Sequence, residues 1–257
     1  MSRLPANSPN WYNSFKTAED VVSEMQKYAS DADAVNLQWF FKTGPGEYGE
    51  GDQFIGVRVP MIRRVCKEFR QLPLAEVEKL IESPFHEHRM AGLIILSLQY
   101  PKANEHGKRA IYDLYIDELA KGNINNWDLI DVTCKLIVGP ELRNDRSKLF
   151  ELARSNSLWE RRVAMVSTFA YLKQPAVETT ADMLEIAEIL LYDSHDLIQK
   201  AVGWALREMG HHIDRQLLLD FLDRHAHDMP RTALRYAIEH LSESDRQHYM
   251  KLRILKG

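Results

Sequence analysis

Residues 162–166 read Arg162-Val163-Ala164-Met165-Val166, and residues 200–204 read Lys200-Ala201-Val202-Gly203-Trp204, 38 positions later. Each opens a segment that is apolar around much of a helix. Arg89–Leu98 and Thr232–Leu241 have the same character. Ahead of such segments lie more amphipathic ones, such as Leu74–Glu82 and Asp182–Tyr192. An amphipathic helix followed by a nearly all-apolar one is a unit that buries its apolar face only by stacking on another copy. At this period it reads as an all-α, HEAT-like or armadillo-like α-solenoid of paired helices with a concave face. A compact helical bundle is the competing fold.

Outward from these stretches, apolar residues recur at three- and four-residue steps, and strand-type alternation is nearly absent. The spacing predicts helices over 17–29, 32–41, 59–70, 74–82, 86–100, 104–121, 126–138, 142–154 and 157–172. Further helices are expected over 180–192, 196–209, 214–226, 230–241 and 243–254. Expected breaks fall at Pro73, Pro84, Pro101, Pro140, Pro175 and Pro230, and at Gly122, Gly139 and Gly210. The organisation expected is one solenoid domain over 1–257, with N-terminal helices and a Gly-rich loop in 1–58 and repeats in 59–257.

The chain has 257 residues, of which 45% are hydrophobic and 27% charged, enough apolar material to order itself. Its two cysteines, Cys66 and Cys134, exclude a disulfide framework and a four-sulfur zinc site, and suit a reducing compartment. No apolar run reaches the length of a membrane span. The first residues are polar and include Trp11 and Tyr12, unlike a secretory signal. A cytoplasmic location follows as an expectation, nucleoid-associated if the source is bacterial. The net charge of -4 argues against a generic polyanion binder but leaves room for a local basic face.

Two runs are locally basic. Arg58, Arg63, Arg64, Lys67 and Arg70 face Glu68 alone, and six cations between Arg143 and Arg162 face three acids. Lys200, Arg207, Arg231 and Arg235 follow on later inner helices. A basic groove on an acidic protein would gather phosphate contacts without a high overall charge. Arg63, Lys200 and Arg235 are candidate DNA-binding residues on this ground. The bland reading of each run is a solvated face.

One segment is not helical. Lys42 to Arg58 contains Gly44, Gly46, Gly49, Gly51 and Gly56. It lacks the GK[ST] of a phosphate-binding P-loop. It is either a structured connection or a loop that packs on a ligand or a nucleic-acid backbone.

The chemistry centres on Asn125-Asn126-Trp127-Asp128-Leu129-Ile130-Asp131. Asn125 or Asn126 can cap a helix, and Asp128 then sits favourably at the positive end of its dipole. Asp131 lies one turn after Trp127, on the same face. A carboxylate beside an aromatic wall suits a developing cation. The alternative is a structural Asp paired to an Arg of the next repeat. Trp204 with Arg207, and Trp159 with Arg162, repeat the Trp-plus-charge pattern. Core packing and surface ion pairs are their ordinary readings. His212-Ile213-Asp214, His86 with His88, and His225 with His227 are poor metal sites, so no metal and no cofactor is expected.

Together these segments resemble the AlkD-type DNA alkylation repair family of HEAT-like DNA glycosylases. The resemblance rests on KTGPGEYGEGD at 42–52, GVRVPMIR at 56–63, NWDLID at 126–131, LWERRVAM at 158–165, LIQKAVGWALRE at 197–208 and MPRTALRYAIEHL at 229–241. It implies hydrolytic removal of cationic N3- or N7-alkylated purines from duplex DNA, with the base left stacked rather than flipped into a deep pocket. The family's catalytic Trp and Asp, four residues apart, match Trp127 and Asp131. Its second aromatic matches Trp204. The resemblance further implies that Arg162 and Arg207 hold flanking phosphates, with Trp159 beside Arg162. An N-terminal Tyr near the lesion is assigned to Tyr48. The implied partner is duplex DNA with alkylated purines, met by a monomer. Some relatives lack the catalytic residues and only bind DNA. A silent binder of damaged or branched DNA, or a protein-interaction scaffold, are therefore the alternatives.

Overall fold

The computed structural model describes residues 16–143 and 145–252; Trp11 and Tyr12 lie outside the described residues. The helices run α1 Ala18–Gln26, α2 Asp31–Phe40, α3 Val59–Glu68, α4 Leu74–Ile81, α5 His86–Gln99, α6 Glu105–Ala120, α7 Trp127–Asp131 and α8 Cys134–Leu142. They continue as α9 Arg146–Ala153, α10 Leu158–Ser167, α11 Val177–Leu190, α12 Asp196–His212, α13 Arg215–His225, α14 Arg231–Ala237 and α15 Glu243–Lys251. The only β pairing among the described residues is a parallel bridge between Gln53 and Phe85. No described helix is long and apolar enough to cross a membrane.

Helix starts follow side-chain chemistry. Thr17, Ser30, Asn104, Ser157 and Ser242 each accept a backbone N–H three residues on, which satisfies donors that the first turn leaves unpaired. Pro73 and Pro230 precede α4 and α14 as anticipated. Other expected boundaries need correction. The segment 126–138 is not one helix: α7 ends at Asp131 and α8 begins at Cys134. Between them the buried Thr133 hydroxyl bonds the Leu129 carbonyl and the Tyr115 hydroxyl, local bonding that competes with the helical ladder. Pro140 lies inside α8, and Gly210 lies inside α12, which runs on to His212. The helix expected over 180–192 begins at Val177, and that over 157–172 closes as a 3-10 turn, Thr168–Tyr171.

The helices pair as anticipated. The amphipathic row α4, α6, α9, α11, α13 lies behind an inner row of α5, α7–α8, α10, α12 and α14, in which each member packs on the next. One continuous apolar core runs from Ala18 to Tyr249. The arrangement is an α-solenoid, and the inner row brings residues far apart in sequence onto one wall.

Two inner-row glycines act by absence of a side chain. A Cβ on Gly139 would lie 2.3 Å from the Ser167 carbonyl oxygen, and one on Gly203 would lie 2.3 Å from the Ala233 oxygen and 2.6 Å from Tyr236 Cβ. These glycines let consecutive inner helices approach backbone to backbone. Gly139 and Gly210 were expected to interrupt helices; Gly139 and Gly203 instead mark close approach. Gly203→Ala is expected to cost about 1–3 kcal/mol through forced separation of α12 and α14. Urea unfolding checks this, and an unchanged midpoint would contradict the role.

Candidate active site

Successive inner-row elements converge on a cavity of about 330 Å³. Phe40 comes from the end of α2, and Lys42 and Tyr48 from the loop that follows. Trp127 and Asp131 come from α7, and Arg162 from α10. Asp196, Leu197, Lys200 and Trp204 come from α12, with Tyr236 from α14. Of the residues singled out in the sequence, the cavity gathers Tyr48, Trp127, Asp131, Arg162, Lys200 and Trp204. Trp159, Arg207, Arg63 and Arg235 do not line it. Arg63 is an exposed residue of α3, and Arg235 borders a separate depression with Glu243 and Arg246.

Asp131 and Arg162 meet as a two-pronged ion pair. Nε–H and an Nη2–H of Arg162 donate to the two carboxylate oxygens at 2.9 and 2.7 Å. The Arg162 Nη1 group donates to the Leu197 carbonyl. Burial pushes the Asp131 carboxyl above its ordinary range, and the Arg162 guanidinium opposes that push. The structural alternative, an Asp tied to an Arg of the next repeat, is thus what is observed, although Asp131 still borders the cavity. Arg162 also lines the cavity. It is 4% exposed, and its donors are committed to Asp131 and to backbone. Its role here is to aim and neutralise a carboxylate.

Trp127 is held on several sides. Its indole N–H donates to the Tyr48 hydroxyl at 3.3 Å, and its rings lie 5.4 Å from Phe41 and 6.1 Å from Phe40. Trp159 packs edge-on behind Tyr48 at 6.3 Å; it buttresses the wall without facing the cavity. Trp204 meets Phe169 edge-to-face at 4.5 Å and donates its N–H to Glu208 at 3.2 Å. The Arg207 guanidinium pairs with Glu208 and Glu239. Lys200 pairs with Asp196 at 2.7 Å.

The sequence reading missed a buried array behind α7. His86 lies between two carboxylates, with Nδ1 2.9 Å from Asp52 and Nε2 2.9 Å from Asp128. Burial alone would lower the imidazole pKa, but Asp128 and Asp52 together raise it to about 9. The ring is therefore an imidazolium at neutral pH and donates from both nitrogens. Arg89 donates to Asp52 at 2.6 Å and to the Asn125 side chain at 3.1 Å. Phe54 stacks on the His86 ring at 4.7 Å, and Phe41 lies tilted against it at 4.9 Å. Asp128 does serve the α7 N-terminus, accepting the Leu129 N–H at 2.8 Å. Its second oxygen does more, because it ties α7 to α5. The Gly-rich loop is fixed in turn by Glu87, whose carboxylate accepts the backbone N–H groups of Ile55, Gly56 and Val57.

Two of the other histidines singled out in the sequence have local partners. His88 bonds Ser83, His212 faces Glu208, and Asp214 caps α13. Glu78, Glu82 and Glu118 are the one metal-like cluster among the described residues, and the Lys121 ammonium sits on all three.

The family model described as DNA alkylation repair enzyme matches residues 21–241. The chain is similar in structure to a predicted DNA alkylation repair enzyme from Enterococcus faecalis. The TM-score is 0.63 at 16% identity, over 84% of this chain and 97% of that one. At that identity the likeness speaks for the fold. No curated protein matches significantly.

Proposed function

Because the chain belongs to the DNA alkylation repair family, we propose that it is a monofunctional DNA glycosylase. It would remove cationic N3- or N7-alkylated purines from duplex DNA by hydrolysing the N-glycosidic bond, acting as a monomer without deep base flipping. The observation that carries this reading is a carboxylate and two indoles, Asp131, Trp127 and Trp204, on one cavity wall.

Alkylation at N3 or N7 leaves the purine positively charged. As the C1′–N bond breaks, its electron pair neutralises the departing base, and positive charge passes to the deoxyribose. The Asp131 carboxylate meets that charge, and the electron-rich faces of Trp127 and Trp204 attract it further. Water adds its oxygen to C1′ and loses a proton. Arg162 keeps Asp131 ionised and pointed at the cavity. It also tempers the negative charge, so the site relies on fixed geometry rather than a free anion. A wall built from successive inner helices suits a grip on sugar and backbone while the base stays stacked.

The test is base release from a panel of duplexes carrying 3-methyladenine, 7-methylguanine or bulkier adducts. Abasic sites that accumulate with the cationic purines, and not with unmodified ones, are the expected result. Salt-sensitive duplex binding with no release from any member of the panel would make the protein a silent binder instead. Absence of both would leave a protein scaffold.

A further inference from the structure

Helix α2 buries none of its ten residues, although a helix that short owes its stability to packing rather than to itself. It carries a conspicuous apolar exposure at its C-terminal half: Val35 is 66% exposed, Trp39 84% and Phe40 54%. Val35 and Trp39 are four residues apart and share a face. Exposed apolar residues that cluster, rather than scatter, mark a contact surface.

Two observations identify the partner. The first is continuity. The depression beside α2, about 560 Å³, is lined by Val35, Trp39, Phe40 and Lys42 among others, and Phe40 and Lys42 also line the Asp131 cavity. The apolar face therefore runs into the candidate active site without interruption. The second is charge. Lys42 makes no ion pair among the described residues, and its Nζ lies 5.9 Å from the centre of the Tyr48 ring. The loop's own acids are tied to its backbone, although both stay exposed and Glu47 also lines the depression: Glu47 accepts the Gly44 N–H at 3.0 Å, and Glu50 accepts the Gly46 N–H at 2.9 Å. Arg162, Arg207 and Lys200 are all held by carboxylates. Lys42 is thus the cavity-lining cation left to meet an anion.

The backbone at Lys42 is shaped for this position. It is the only non-glycine residue among those described with positive φ, +53°, a conformation that ordinary side chains avoid. The turn is pinned by the Gly49 N–H donating to the Lys42 carbonyl at 3.1 Å. A Cβ on Gly49 would lie 2.4 Å from the Phe41 oxygen.

We propose that α2 and its following turn form a second DNA-contact surface, in which Lys42 takes a backbone phosphate and the Val35–Trp39 face packs on sugar and base edges of the duplex beside the cavity. This rests on the reading that the cavity accepts duplex DNA. The aromatic face and the cation match a nucleic-acid backbone, which offers both apolar sugar edges and phosphate charge.

Trp39→Ala and Lys42→Gln test it by fluorescence anisotropy with labelled undamaged and 7-methylguanine duplexes, across a range of salt concentrations. Both side chains are exposed, so thermal melting should show intact folding. Trp39→Ala is expected to weaken both duplexes by about tenfold. Lys42→Gln is expected to reduce the slope of log K against log[salt] by about 1, equally for both duplexes. Wild-type affinity and salt slope in both variants would overturn the proposal. So would light scattering that shows a wild-type dimer and a Trp39→Ala monomer, since the face would then join two copies of this chain. The readout is binding, so a protein that binds duplexes but releases no base removes the glycosylase reading and leaves this one standing. Base release by the wild type with unchanged variant binding removes only this one.

Discussion

Asp131→Asn is expected to slow base release from 7-methylguanine duplexes by on the order of 10²-fold or more, the equivalent of about 3 kcal/mol of transition-state stabilisation. Asn keeps the shape and can still accept a hydrogen bond from Arg162, so folding and duplex affinity should be largely retained. Electrostatics change most. With Asp131 ionised, the carboxylate and the Arg162 guanidinium nearly cancel; with Asn, an unneutralised cation remains beside the position where the sugar becomes positive. The substitution both removes an attraction and uncovers a repulsion. Single-turnover release at saturating duplex isolates this step. Full activity in the variant would remove Asp131 from the chemistry and leave it a structural partner of Arg162. The pH dependence gives an independent check. Burial raises the Asp131 carboxyl pKa despite Arg162, so the wild-type rate should begin to fall on acidification at a higher pH than an ordinary aspartate would give. Asp131→Asn should lack that acid limb.

The solenoid was legible because its signal is local and repeated. The apolar inner segments at 162–166 and 200–204 recur at one period, and each must stack on its neighbour. Trp127 and Asp131 were legible as a pair because four residues on a helix fix a shared face. Interruptions read less well. Gly139, Pro140 and Gly210 look like helix breakers in isolation, but close packing against Ser167 and Leu218 explains the two glycines, and Pro140 lies near the end of α8. The pairing of Arg162 with Asp131 was open as an alternative. Choosing it requires the offset between two repeats, which sequence spacing does not supply. Sequence spacing likewise does not show that Arg162 pairs with Asp131 and Arg207 with Glu208 and Glu239. The array of Asp52, His86, Arg89, Asn125 and Asp128 joins a loop, α5 and the entry to α7. Nothing in the local pattern around His86 announces two carboxylates from such remote segments.

His86→Leu is expected to destabilise the protein by about 3–5 kcal/mol, the range for removing one partner of a buried ionic array. Asp52 would retain Arg89, but Asp128 would lose its cationic partner. The unfolded imidazole loses its proton near 6.5, whereas the folded one, raised by Asp128 and Asp52 against the cost of burial, holds it to about 9. Between those values the native state binds a proton that the unfolded state does not, so stability falls as pH rises. The contribution is complete below 6.5 and lost as pH passes about 9. It amounts to about 3 kcal/mol at roughly 1.4 kcal/mol per pH unit. Urea unfolding of the wild type should show this decline between the two limits, and His86→Leu should lack it. His86→Gln, which keeps one hydrogen bond without the charge, provides a second measurement should the Leu variant fail to fold. An identical pH slope in wild type and Gln variant would refute an imidazolium in the native state. The consequence reaches the cavity, because α7 has only five residues and cannot hold its own geometry. Its N-terminal end is tied through Asp128 to His86, and its C-terminal end through Asp131 to Arg162. Loosening the first anchor should let Trp127 drift from Tyr48 and lower base release even where the protein remains folded.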